Sequence, residues 1–175
     1  MRFKMTKKLD AIFTSCSEKS LDPETTALVT FAAQLAHGQE AAIDVAKLSR
    51  SVKDVAKLHR AACLAACTSG PAVAERFAKI ARAGKWKGAT TALKFSSCND
   101  QTLEKKTHHL VSLAACLASA CECASGHIVQ ARNAGATDEE LARTACLTAC
   151  VAGERTKYAF LAHLEEMREC RSCVC

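Results

Sequence analysis

Two cysteines and a histidine lie close together in the second half of the chain, in the order Cys121-Glu122-Cys123-Ala124-Ser125-Gly126-His127. If this segment begins a helix, Cys123 and His127 lie one turn apart on the same face. The unpaired N–H groups and the dipole at a helix start favour the thiolate form of Cys123. A neighbouring imidazole can act as its base, or as a cation that lowers the thiol pKa. With a second thiol at Cys121, the pattern predicts a redox site.

The same side chains also suit a metal site, because thiolates and imidazoles are zinc ligands. A closed zinc site needs four ligands, and the nearest further candidates in the sequence are His108 and His109. A second cysteine cluster, Cys170, Cys173 and Cys175, ends the chain. That tail fits a disordered end, a mobile dithiol that relays electrons, or a metal-binding tail.

The elements that position these residues are predicted to be helices. The chain has 175 residues, of which 34 are alanine and only two are proline. Alanine is the best helix former, and its small side chain lets helix axes approach closely. Caps are expected where Asp22 precedes Pro23, where Ser51 precedes Asp54 by three residues, and over residues 137–140. The expected fold class is an all-α bundle.

The chain also repeats itself, with a period of about 82 residues. Residues 28–36 match 110–118, and residues 62–67 match 145–150. This pattern predicts one domain, 1–175, built by internal duplication of a four-helix unit. It comprises a degenerate repeat (21–82), a motif-bearing repeat (100–169) and the cysteine-rich tail (170–175). At the equivalent break the first copy has Gly38-Gln39-Glu40-Ala41, so the bend itself needs no cysteine or histidine.

The remaining composition favours a cytoplasmic protein. The formal net charge is +6, but no basic stretch is interleaved with aromatic residues, so no nucleic-acid partner is expected. No apolar run approaches the ~20 residues of a membrane span, and no signal peptide is evident, so no membrane partner is expected either. The twelve cysteines then fit a reducing compartment, where helical cysteines such as Cys63 and Cys116 behave as small buried hydrophobic residues. Residues 83–88 are the expected linker between the repeats, and Trp86 is expected to anchor it on the bundle or on a neighbouring subunit.

One known family resembles this pattern. Cys123 and His127, followed by Ala131-Arg132-Asn133-Ala134-Gly135-Ala136-Thr137-Asp138-Glu139-Glu140-Leu141, resemble the carboxymuconolactone decarboxylase family and, more narrowly, its alkylhydroperoxidase D-like branch. The resemblance implies an all-α, internally duplicated fold and a trimer or hexamer. Redox members of that branch carry Cys-x-x-Cys-x3-His at a helix start and a proton-relaying Glu on the preceding helix.

The chain departs from that pattern at two positions. Ala120 stands where the first family cysteine belongs, and Cys121 is displaced by one residue, which gives Cys-x-Cys. The position of the relay Glu falls on His108. The smaller ring of a Cys-x-Cys disulfide is expected to be strained and therefore more oxidising.

The resemblance implies a thiol-dependent peroxidase or disulfide oxidoreductase. Cys123 is expected to be the thiolate nearest the base, Cys121 its disulfide partner, His127 the base and His108 the relay. No cofactor and no metal are required for this chemistry, and a thiol reductant protein is a possible partner beside the other copies of the chain. The alternative is a metal-binding or non-enzymatic oligomeric protein that keeps the fold.

Overall fold

The computed structural model describes residue 13, residues 19–86 and residues 101–172, with the backbone alone for 167–172. These residues form eight α-helices and one short 3-10 helix, Glu40–Ala42, with no strand among them. The helices are α1 (Pro23–His37), α2 (Val45–Ser51), α3 (Val55–Ser69), α4 (Ala72–Ala83), α5 (Lys105–Ala118), α6 (Ala124–Asn133), α7 (Asp138–Ala152) and α8 (Arg155–Ser172). The all-α fold class is confirmed.

The structure confirms two of the three helix caps that the sequence predicts. The Asp22 carboxylate accepts the N–H of Thr25 at 2.9 Å, with Pro23 in the first turn of α1. Before α7, Thr137 and Glu140 exchange side-chain and backbone hydrogen bonds of 3.1 and 2.8 Å, which is the expected capping box.

The third cap is different. Asp54 caps α3 by itself, with its carboxylate accepting the N–H of Ala56 at 2.8 Å. Ser51 is the last residue of α2 rather than a cap. The expected box between Ser51 and Asp54 was therefore wrong, because α2 occupies the residues that would have led into it.

Four helices form the centre of the bundle. Helices α1 and α5 pack against each other, and each also contacts α3 and α7. Ala32 and Ala33 of α1 and Ala114 and Ala115 of α5 are fully buried. Their small side chains let the helices approach closely, so the burial of alanine explains the composition. Helix α6 lies outside this centre and packs on α5 and α8.

The two halves of the described chain have the same order of helices, α1–α4 and α5–α8. Corresponding turns also share a backbone conformation. Gly70 after α3 and Gly153 after α7 have φ of 84° and 90°, and Gly38 after α1 has φ of 85°. Ala120, which follows α5, occupies the same left-handed region with φ of 55°.

The structure describes part of the expected linker, residues 83–86, and part of the expected tail, residues 170–172. Trp86 is 7% exposed and its Nε1–H donates to Ser49 Oγ at 2.9 Å. Its ring packs against Phe31 and Phe77, so this side chain is anchored on the bundle. Helix α8 extends through Ser172, so the tail expected from residue 170 begins within a helix, and residues 173–175 lie outside the described part. Across that part, the helices are too short or too polar to cross a bilayer.

Candidate thiol and histidine site

The turn between α5 and α6 fixes the position of the cysteine motif. After the last residue of α5, the N–H of Ala120 donates to the Leu117 carbonyl at 3.4 Å. The N–H of Cys121 donates to the Cys116 carbonyl at 2.8 Å. This pair of bonds, with a left-handed residue between them, is the Schellman motif that ends many helices. Cys121 therefore lies in the turn before α6, as a Cys-x-Cys pair requires.

The two cysteines of the motif differ in exposure. Cys121 is half-buried and packs against the hydrophobic core, whereas Cys123 is exposed at the N-cap of α6. The neighbouring Cys121 thiol raises the pKa of Cys123, and the Glu122 charge acts in the same direction. The helix start by itself favours a lower pKa for Cys123, and the adjacent thiol and carboxylate oppose that effect.

A third thiol, Cys116, lies beside the motif on α5. Its side chain is fully buried. Burial, together with the neighbouring sulfurs of Cys121 and Cys123, raises the pKa of Cys116 to about 12. The structure thus brings together three thiols of graded exposure, and Cys121 is the one that adjoins both others.

His127 lies on α6 one turn after Cys123, and its backbone N–H donates to the Cys123 carbonyl at 3.3 Å. Its imidazole faces α5, where its Nδ1 lies 3.3 Å from the Nδ1 of His109. Among the described residues, no hydrogen bond joins the His127 side chain to Cys121 or Cys123. Burial lowers the pKa of His109, and burial followed by the charge of His109 lowers that of His127.

His108 has a different partner. The centroids of the His108 and His109 rings are 4.9 Å apart. The Nδ1 of His108 lies 3.5 Å from a guanidinium nitrogen of Arg60. Because a guanidinium can only donate, the Nδ1 of His108 is the acceptor and its proton is on Nε2. Burial, then the charge of Arg60 and of the two other histidines, lowers the pKa of His108 to about 4. His108 is neutral at pH 7.

One thiol and one imidazole, those of Cys116 and His109, lie on the same face of α5. Cys116 follows His109 by seven residues, or two turns of α5, which corresponds to about 10 Å along the axis. The site therefore has two parts. The thiol cluster contains Cys116 with the predicted Cys121 and Cys123, and the imidazole cluster contains His109 with the predicted His108 and His127. The arrangement suits thiol oxidation at the exposed Cys123, with half-buried imidazoles as proton acceptors.

The predicted fourth ligand of a metal site is not in place. Within residues 19–86 and 101–166, no three side chains of His, Cys, Asp or Glu converge as metal ligands would. His109 pairs with His127, and His108 with Arg60, so neither imidazole reaches the sulfurs as a ligand. The donor set of the described site does not fit a zinc ion.

The thiol cluster does not line the cavity of about 510 Å³ that is formed mostly by the first half of the chain. That cavity lies between α1 and α2, and Phe31, Ile43, Leu48 and Arg143 are among its lining residues. The candidate thiols are on a turn of the second repeat, where Cys123 is exposed at the surface.

Three residues of this site were not assigned to it from the sequence. Cys116 was interpreted as packing, His109 was considered only as a metal ligand, and Arg60 was not considered. The seven-residue spacing from His109 to Cys116 was a usable signal, because it places both on one face of α5. No signal in the sequence links Arg60, on α3, to His108.

The family resemblance is established by comparison with known proteins. The sequence model of the carboxymuconolactone decarboxylase family matches residues 71–165, more than half of the chain. The chain therefore belongs to the carboxymuconolactone decarboxylase family. The match begins just before α4 and includes the cysteines and histidines of the site, but not Arg60. No curated protein and no solved structure matches the chain.

Proposed function

We propose that this protein is a thiol-dependent peroxidase or disulfide oxidoreductase of the alkylhydroperoxidase D-like type. The observation that carries the proposal is the juxtaposition of Cys121 and Cys123 at the start of α6, where their two thiols lie within hydrogen-bonding reach and Cys123 is exposed. Membership of the carboxymuconolactone decarboxylase family supports it, since redox members of the resembling branch place a dithiol and a histidine there.

The exposed thiol is the one that meets a hydroperoxide. Cys123, as thiolate, attacks the peroxide bond, becomes a sulfenic acid and releases the alcohol or water. The Cys121 thiol then attacks the Cys123 sulfur, which forms the Cys121–Cys123 disulfide and releases water. Two electrons have passed from the thiols to the peroxide. A thiol reductant protein returns both thiols through a mixed disulfide.

The imidazoles handle the protons of this cycle. His127 is the proposed base, and its contact with His109 gives the proton a second nitrogen at 3.3 Å. His108 remains the proposed relay at the position of the family Glu. With its Nδ1 held by Arg60, it acts through Nε2–H and orients its neighbour His109.

The proposed assembly is a homo-oligomer, a trimer or hexamer, as the resemblance implies. Light scattering of the purified chain measures its mass directly. The competing class, a metal-binding or non-enzymatic protein that keeps the fold, is an outcome of the activity test below.

Hydroperoxide consumption with dithiothreitol as reductant tests the proposal. Cys121→Ser and Cys123→Ser are expected to abolish turnover, and His127→Gln to slow it roughly 100-fold, as for loss of a general base. Cys150→Ser is the matched control, because Cys150 is exposed on α7 outside the site. Full activity in both Cys121→Ser and Cys123→Ser would contradict the proposal, and so would an inactive wild-type protein.

A further inference from the structure

Cys116 is the buried member of the thiol cluster and is not part of the Cys-x-Cys motif. It occupies the third position from the end of α5, and Cys121 is the second residue after the cap. In a Schellman motif these two positions are joined by a backbone hydrogen bond, here 2.8 Å long, and their side chains commonly touch. The turn that ends α5 therefore brings Cys116 and Cys121 together.

The first half of the chain has the same turn without thiols. After α1, the N–H of Gln39 donates to the Gln34 carbonyl at 2.8 Å, and Gly38 is the left-handed residue. Gln34 and Gln39 thus occupy the positions of Cys116 and Cys121. Glutamine serves this turn as well as cysteine does, so the geometry of the turn does not explain why two thiols meet in the second half.

Cys121 adjoins thiols on both sides. It packs on the hydrophobic core, where Cys116 is buried, and it also lies beside the exposed Cys123. We propose that Cys121 is the shared sulfur of two alternative disulfides, Cys121–Cys123 and Cys116–Cys121, and that Cys116 resolves the first into the second. This inference rests on the proposed thiol-dependent peroxidase function.

The exchange is balanced without a further reactant. After a hydroperoxide has produced the Cys121–Cys123 disulfide, the Cys116 sulfur attacks Cys121. The Cys116–Cys121 bond forms, the Cys121–Cys123 bond breaks, and the proton of Cys116 passes to Cys123. No electrons enter or leave. Cys123 returns to its thiol form at the surface, while the oxidised pair is held inside the bundle.

Ring size and proton affinity set the direction and rate of this step. A Cys-x-Cys disulfide closes a small ring, whereas Cys116–Cys121 spans a complete helix-ending turn, so the exchange relieves strain. The raised pKa of Cys116 leaves little of its attacking thiolate at neutral pH. The second disulfide should therefore follow the first slowly.

The chain offers a direct way to tell the two disulfides apart. Trypsin leaves Cys116, Cys121 and Cys123 in one peptide, residues 107–132. A Glu-specific protease then cuts after Glu122, between the cysteines of the motif. Cys121–Cys123 keeps the fragments 107–122 and 123–132 joined. Cys116–Cys121 releases them and leaves an internal disulfide in 107–122.

The experiment treats the reduced wild-type protein with one equivalent of hydrogen peroxide and quenches samples over time with an alkylating agent. We expect joined fragments first, then a rise of the internal disulfide in 107–122 as the joined form falls. Cys123→Ser lacks the thiol that reacts with the peroxide, so neither disulfide should form in this variant. Cys116→Ala should retain the joined form, and Cys63→Ala, which removes another buried thiol, should behave as wild type.

The two failures are distinguishable. If the fragments of the oxidised wild-type protein stay joined at all times, Cys116 takes no part and the inference is overturned, while the peroxidase proposal stands. If neither disulfide forms and no peroxide is consumed, the peroxidase proposal itself fails and the inference with it.

Discussion

The Nδ1 atoms of His109 and His127 lie 3.3 Å apart across the contact between α5 and α6. One of the two nitrogens must carry a proton and the other must accept it, because two bare or two protonated Nδ1 atoms cannot form this bond. Burial lowers the pKa of both rings, and the charge of His109 lowers that of His127 further. The two rings therefore share one proton in the hydrogen bond between their Nδ1 atoms.

Removing His109 should raise the pKa of His127. In His109→Gln the repelling charge is gone, but burial of His127 remains, so its pKa should rise and stay below the ordinary value of about 6.5. An NMR titration of the ring protons measures it. His163→Gln, on α8, is the control and should leave His127 unchanged. An unaltered titration of His127 in His109→Gln would refute the coupling.

Acid should destabilise the protein through His108. Its folded pKa is about 4 and its unfolded pKa about 6.5, so the unfolded chain binds the proton more readily between these values. Stability is therefore lost as the pH falls below about 6.5. From about pH 7 to about pH 4.5 this group should remove about 2 kcal/mol of the free energy of unfolding. Urea denaturation should show a drop smaller by that amount in His108→Gln; an equal drop would count against this origin.

Arg60 is expected to hold the pKa of His108 down. Arg60 is 1% exposed, and its guanidinium contacts the His108 Nδ1 at 3.5 Å. In Arg60→Met this charge is lost while most of the side-chain volume is kept, so the pKa of His108 should rise above about 4. The ring-proton titration measures the change, and Arg76→Met, which removes a guanidinium that contacts the Leu35 carbonyl instead, is the control. A rise of the same size in both variants would mean that general loosening, rather than the contact, is responsible.

Ala120 should be the rare alanine whose replacement by glycine stabilises a helical protein. Its φ of 55° lies in the left-handed region, which costs a residue with a Cβ about 1 kcal/mol relative to glycine. Ala120→Gly is therefore expected to raise the free energy of unfolding by up to about 1 kcal/mol. Ala162→Gly, at an exposed position within α8, should lower it by about the same amount. A loss of stability in both would show that the turn is unstrained.

Much of the fold could be predicted from local chemistry. The capping box at Thr137 and the aspartate before Pro23 depend on neighbours three residues away, so the sequence contains what is needed to place them. The cap expected at Ser51 was wrong because the same residues also complete a short helix, α2. Local patterns cannot decide between two structures that both satisfy the backbone.

The site could be predicted only in part, for a physical reason. The Cys-x-Cys pair and His127 are close in sequence, so their neighbourhood was evident. The partner of His127 depends on how α5 crosses α6, and the partner of His108 lies on α3 in the other half. Cys116 was interpreted as packing. The turn that brings it to Cys121 has a left-handed residue, and alanine at position 120 does not indicate such a turn as glycine would.

The thiol state of Cys121 after limited oxidation tests the central claim most directly. The fully reduced protein is given less than one equivalent of hydroperoxide, and alkylation of each cysteine is then measured by mass spectrometry. Because Cys121 is common to both disulfides, the account predicts that it is blocked in every chain oxidised at this site, whichever of Cys116 and Cys123 remains free. Consumption of the hydroperoxide with Cys121 still fully alkylated would contradict the account.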